Sequence, residues 1–171
     1  FLLNTQAVAR QLEEENQDIA KATVIKQWPN TIIVDVTERT STLLWQSKDK
    51  FYLVDQQGIA FEETQPSGDL IRVEDSTGLP VETGKQIVAS KFIKVLADIQ
   101  REMDTAGIKV TGFRIPESTF EVQAVTDQGY YALFDTTRSV SFQVDALKRA
   151  VGQAKPAQYA DLRVPGRVYV R

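Results

Sequence analysis

The sequence has no histidine and no cysteine, and only one methionine. Without His and Cys there is no zinc finger, no Cys–His pair, no Ser-His-Asp triad, no disulfide, and no haem or iron–sulfur ligation through those residues. Carboxylate catalysis, Lys or Ser nucleophiles, hard-cation binding and the absence of catalysis all stay open. No apolar run approaches the roughly 18 residues a membrane-spanning helix needs. There is no excess of positive charge either: Lys+Arg 20 against Asp+Glu 23 gives a net charge of −3, which argues against a general nucleic-acid binder. No phosphate loop, dinucleotide fingerprint, zinc-protease helix motif or nucleophile elbow occurs.

What is present is an ordinary globular composition, 42% hydrophobic and 25% charged over 171 residues, enough for one domain or two small ones. The opening Phe1-Leu2-Leu3, with no Met before it, predicts a piece of a longer chain with a signal peptide or anchor upstream.

Asn4 or Thr5 is placed to cap a helix running to about Asn16, with Val8 and Leu12 on one face and Glu13, Glu14 and Glu15 towards solvent. Ile19 to Trp28 and Thr31 to Arg39 read as a hairpin broken at Pro29-Asn30. Ser41 to Gln46 suggests one helical turn burying Leu43, Leu44 and Trp45. A second hairpin joins Phe51–Val54 to Ile59–Phe61 through Asp55-Gln56-Gln57-Gly58. A loop-rich stretch, 62–84, holds the domain boundary, with a short strand at 70–73. The strongest helix is predicted over 86–106, where Val88, Phe92, Val95, Leu96, Ile99 and Met103 recur at three- and four-residue spacing before Gly107. Strands follow at about 109–115, 119–126 and 130–135, then a helix over 140–152 with Val140, Val144, Leu147 and Val151 on one stripe. Strands at 157–164 and 167–171 flank Pro165-Gly166. The predicted class is α+β: a small unit over 1–64, then a unit over 65–171 with a mostly antiparallel sheet and two packed helices.

Several clusters have plain structural readings. Glu13-Glu14-Glu15 reads as a solvated helix end rather than a metal site. Asp55 and Gly58 serve a turn, and no bidentate Glu follows to complete a calcium loop. Asp69, Glu74 and Asp75 share a soluble loop, and only an opposed pair in a cleft would revive a glycan-hydrolase reading. Arg10, Lys21, Lys26, Arg39 and Lys48 are scattered, while Trp28 and Trp45 fall at positions that periodicity assigns to packing. The C-terminus is different. Arg167-Val168-Tyr169-Val170-Arg171 alternates charged or aromatic with aliphatic residues and reads as a sheet edge. Its arginines fit protection of that edge against aggregation, and equally a β-strand addition site for a partner. Pro165-Gly166 fits either a type II turn or a bend within one strand.

Three stretches resemble the extracytoplasmic region of the FtsQ/DivIB family of bacterial cell-division proteins. The first is Ile19 to Arg39, where a strand ending in Trp28-Pro29 precedes one ending in Glu38-Arg39, with Trp45 beyond. The second is Val54-Asp55-x-x-Gly58-x-x-Phe61. The third is Tyr159-x-Asp161-Leu162-Arg163 with Gly166-Arg167-Val168-Tyr169. The resemblance covers nearly the whole chain. It implies a POTRA domain over 1–64 lacking its first strand and helix, then a β domain over 65–171. It further implies a non-enzymatic divisome scaffold, free of cofactor, metal, nucleic acid or small-molecule substrate. Such a scaffold is anchored in the plasma membrane by one upstream helix, faces outward at the septum, and binds FtsB (DivIC in Gram-positives) and FtsL. Matching positions place the partner strand against Tyr159, Arg163, Val164, Gly166, Arg167, Val168 and Tyr169. The competing expectation is a POTRA-type polypeptide-binding module of an outer-membrane assembly or secretion protein.

Overall fold

A computed structural model describes residues 3–66, 68–153 and 156–171. Phe1 and Leu2 of the apolar opening and Ser67 of the 62–84 loop lie outside the described residues.

The first unit is a helix on a hairpin. In α1 (Thr5–Glu15) the Asn4 side chain accepts from the Ala7 N–H at 3.2 Å, the capping bond its residue type favours. The acidic last turn opposes the helix dipole, and the helix stops at Asn16, whose backbone N–H and side-chain Nδ2 both donate to Leu12 O. Glu13 is not simply solvated as expected. Its Oε1 accepts from the Ala22 N–H at 2.8 Å and pins α1 to β1. Strands β1 (Ile19–Gln27) and β2 (Thr31–Glu38) pair antiparallel around the expected break at Pro29-Asn30, and form a sheet of their own. Ala22 and Val24 are buried, whereas every residue of β2 is exposed.

The remaining strands form one ten-stranded sheet: β3 (Leu43–Ser47), β4 (Lys50–Val54), β5 (Ile59–Thr64), β6 (Arg72–Asp75), β7 (Lys85–Gln86), β8 (Val110–Ile115), β9 (Glu121–Thr126), β10 (Tyr131–Asp135), β11 (Tyr159–Asp161) and β12 (Tyr169–Val170). The spatial order is β12-β11-β10-β9-β8-β6-β3-β4-β5-β7. Pairs β3–β6, β6–β8 and β10–β11 are parallel, and the other six are antiparallel. Helices α2 (Ser90–Thr105) and α3 (Val140–Val151) pack together on one face. Beneath them the strands alternate buried and half-buried, so that Val122, Ala124, Ala132 and Phe134 meet Ile99, Met103 and Leu147 in one continuous core. Each large side chain withdrawn there contributes roughly 1.5–3 kcal/mol.

Several expectations are corrected. Trp28, assigned to packing by periodicity, is 93% exposed just after β1. The segment at 41–46 is a strand rather than a helical turn, although Leu43, Leu44 and Trp45 are buried as predicted. The division at 64/65 does not match the sheets. Strands β3 to β5 belong to the large sheet, with Leu43, Trp45, Tyr52, Val54 and Ala60 in its core. The long helix begins at Ser90 instead of 86, because Lys85 and Gln86 pair with β5 while Ile87 N–H donates to Gly58 O at 2.9 Å. The strand expected at 70–73 occupies Arg72–Asp75.

Candidate functional site

The C-terminal strand lies at the sheet's edge, as its sequence suggested. The chain crosses over α3 and lays β11 parallel to β10, with Tyr131 opposite Tyr159 and Leu133 opposite Asp161. It then reverses at Val164-Pro165-Gly166-Arg167. Arg167 N–H donates to Val164 O at 3.3 Å and Gly166 has φ 73°, so Pro at the second position and Gly at the third make a type II turn rather than a bend. Strand β12 returns antiparallel to β11, pairing Tyr169 with Asp161 and Val170 with Ala160.

The register fixes which main-chain groups are spent. Tyr159 and Arg171 exchange bonds, Arg171 N–H to Tyr159 O at 3.0 Å and Tyr159 N–H to Arg171 O at 3.2 Å. Antiparallel ladders alternate, so Val170, one residue back, turns its N–H and C=O away from β11. Val168, two residues further, turns the same way. Val168 keeps its side chain packed against the core, while Tyr169 and Val170 are exposed. The outer rim of β12 is therefore a short open ladder on a side-chain foundation that is partly buried.

A charged brace holds this rim. Arg163 donates from Nε and Nη2 to the two carboxylate oxygens of Asp161, at 2.9 and 2.7 Å, and from Nη1 to Glu121 Oε2 at 2.6 Å. The fork-to-fork geometry is the strong form of such a pair. It holds the Asp161 carboxyl below the usual carboxylate range, with burial opposing, and makes the Arg163 guanidinium harder still to deprotonate. Arg138 Nη1 donates to Leu162 O at 3.0 Å and to Arg163 O at 2.9 Å, satisfying carbonyls where β11 ends.

Of the seven residues singled out from the sequence, Val164, Gly166, Arg167, Val168 and Tyr169 run along the turn and outer strand. Tyr159 and Arg163 lie one strand inward, committed to internal bonds. Val170, Arg138 and Glu121 were missed. The alternation of the tail could have pointed to Val170, whereas nothing local marks the other two. Among the described residues no cluster of acidic side chains is arranged to hold a metal ion, and no helix is long and apolar enough to cross a membrane.

Residues 1–39 match the family description "POTRA domain, FtsQ-type", and residues 43–163 match "Cell division protein FtsQ/DivIB, C-terminal". This chain belongs to the FtsQ/DivIB family. The junction between the two FtsQ/DivIB matches coincides with the passage from the β1–β2 sheet to β3. Among curated relatives, the chain is 29% identical over 117 residues to the cell division protein FtsQ of Streptomyces bingchenggensis, covering 65% of this chain and 44% of that protein. It is 38% identical over 48 residues to FtsQ of Zymomonas mobilis, covering 28% of this chain and 15% of that protein. The chain thus spans less than half the length of the curated relatives it matches. The POTRA match is to the FtsQ type, which leaves the outer-membrane assembly reading without support.

Proposed function

We propose that this FtsQ/DivIB-family chain is a non-enzymatic scaffold of the division machinery that captures an extended partner segment by β-strand addition along β12. The observation that carries the reading is the open outer ladder of Val168 and Val170 on the last strand of the sheet. Main-chain bonds supply affinity, while the exposed Tyr169 and the turn residues Val164 and Arg167 select the sequence that lies alongside. The partners that fit the family are FtsB or DivIC, with FtsL, and through them septal peptidoglycan synthesis. In this reading the protein is held in the plasma membrane by a helix upstream of Phe1, with the described domains on the outer side at the septum.

The test exploits the ladder's alternation. Val170→Pro removes an N–H that points outward and no bond to β11, and proline is tolerated on an edge strand. It should weaken binding of an FtsB-type peptide at least about tenfold, a loss of roughly 1.4 kcal/mol, with the circular dichroism spectrum unchanged. Deleting residues 167–171 should abolish binding. Unchanged affinity in both variants would refute the site.

A further inference from the structure

The face of the large sheet turned away from α2 and α3 carries a charge arrangement that neither the edge strand nor its brace explains. Val73 and Phe113 point into the core, so their neighbours Arg72, Glu74, Gly112 and Arg114 point the opposite way. All four lie within 43–163, the stretch matched by the C-terminal family description and separate from the helix–hairpin unit. The parallel pairing of β6 with β8 sets Glu74 opposite Arg114, and Arg114 Nη2 donates to Glu74 Oε2 at 3.1 Å. Two residues back, the same register sets Arg72 opposite Gly112. Arg72 thus stands across from a residue with no side chain. Among the described residues it has no carboxylate partner, and its Nε and Nη2 both donate to the neutral Gln46 Oε1.

Gly112 leaves a depression of about 240 Å³, walled by Arg72, Glu74, Arg114, Val125 and Tyr131. A Cβ at 112 would stand 3.1 Å from Arg72 O, so a larger residue there would crowd the floor. Each guanidinium lies over an aromatic ring, Arg72 over Phe51 and Arg114 over Tyr131, with Cζ 5.4 Å from the ring centre in both. Stacking occupies the faces of a guanidinium and leaves its N–H edge for a ligand. Arg114 Nε is shut off from water without a hydrogen-bond partner, a state that buried donors seldom keep. The charges select the ligand. Two guanidiniums against one carboxylate give the depression a single positive charge. A phosphate or sulfate dianion would bring its second charge against Glu74. A carboxylate matches in charge, and its two coplanar oxygens fit the fork of an arginine.

We infer that this depression binds the carboxylate of a peptide, from an acidic side chain or a chain terminus, between Arg72 and Arg114. The site stands or falls independently of the β12 edge. Chemical-shift titration of the isotope-labelled 171-residue chain tests it. N-acetylglutamate α-amide supplies a side-chain carboxylate, and N-acetylglycine a terminal one. At least one of them should shift the Gly112 amide and Arg114 Nε–H signals along a saturating curve in the millimolar range. Sodium sulfate and the uncharged N-acetylglutamine amide should give no saturation. Arg72→Gln should abolish it, and Arg72→Lys, which keeps the charge and loses the fork, should weaken binding several-fold. Arg72 is exposed, so both variants should leave the rest of the spectrum in place. Saturation by the glutamate probe alone assigns an acidic side chain, and by N-acetylglycine alone a chain terminus. No saturable shift with either carboxylate, equal binding of sulfate, or unchanged binding by Arg72→Gln would overturn the inference.

Discussion

Arg39, the residue that follows β2, reaches Asp55, in the turn between β4 and β5, with Nη1 donating to Oδ2 at 2.6 Å. The pair joins the hairpin unit to the ten-stranded sheet, and its side chains are only 14% and 3% exposed. The other Asp55 oxygen, Oδ1, accepts from the N–H groups of Gln57 and Ile59. One carboxylate therefore shapes a turn and anchors a neighbouring unit.

Arg39→Met should be strongly destabilising, because it leaves a buried carboxylate without its cation. The expected loss is about 3–5 kcal/mol in urea denaturation. Adding Asp55→Asn should recover part of it, and a double-mutant cycle would measure the coupling. Additive losses would mean that the two side chains do not interact.

Gly58 is fixed by both its conformation and its surroundings. Its φ is 81°, and a Cβ there would sit 1.9 Å from the backbone oxygen of Val88. Gly58→Ala should therefore cost clearly more than the roughly 1–2 kcal/mol of left-handed backbone strain alone. Gly129→Ala, with φ 87° and open space around it, should cost about that smaller amount. Thermal midpoints of the two variants should separate them.

Strong acid should weaken the brace at the edge. Arg163 holds the Asp161 carboxyl below its ordinary value, so the folded-state pKa is depressed. The stability this confers is complete above the unfolded value of about 3.9 and is lost as pH falls through the folded one. Urea midpoints of the wild type should drop below about pH 4 more steeply than those of Asp161→Asn. Parallel pH profiles would contradict this.

Arg138→Met should act locally. Losing the bonds to Leu162 O and Arg163 O removes charged hydrogen bonds worth about 1.5–3 kcal/mol. Amide exchange should quicken over 159–170 while β8 and β9 stay protected, and affinity for the partner segment should fall with Arg138 touching no partner. Uniform quickening across the sheet would instead mark a general loss of stability.

Elements with their own period were legible in the sequence. The stripe of α3, that of α2 from Phe92 onward, the Pro29-Asn30 break and the Asp55–Gly58 turn appear where local rules put them. Strand β3 was not legible, because a strand lying between β4 and β6 inside the sheet and buried along its length loses the alternation that identifies strands. The same non-local pairing moved the domain boundary. Hairpin β4–β5 looks like a continuation of the first hairpin until β3 is seen to lie beside β6. At the edge, the Pro165-Gly166 turn and the alternation of the tail could be read directly. The brace could not, since Arg163 meets Glu121 across 42 residues and Arg138 meets Leu162 across 24.

The crossover that delivers β11 also sets when the molecule becomes competent. Strand β12 pairs only with β11, which on its other side pairs with β10, so the edge exists only when β11 is in place. A chain in which β11 is not seated thus has no landing strip to offer. In the proposed reading, capture of a partner segment would therefore report that β10, β11 and β12 have assembled.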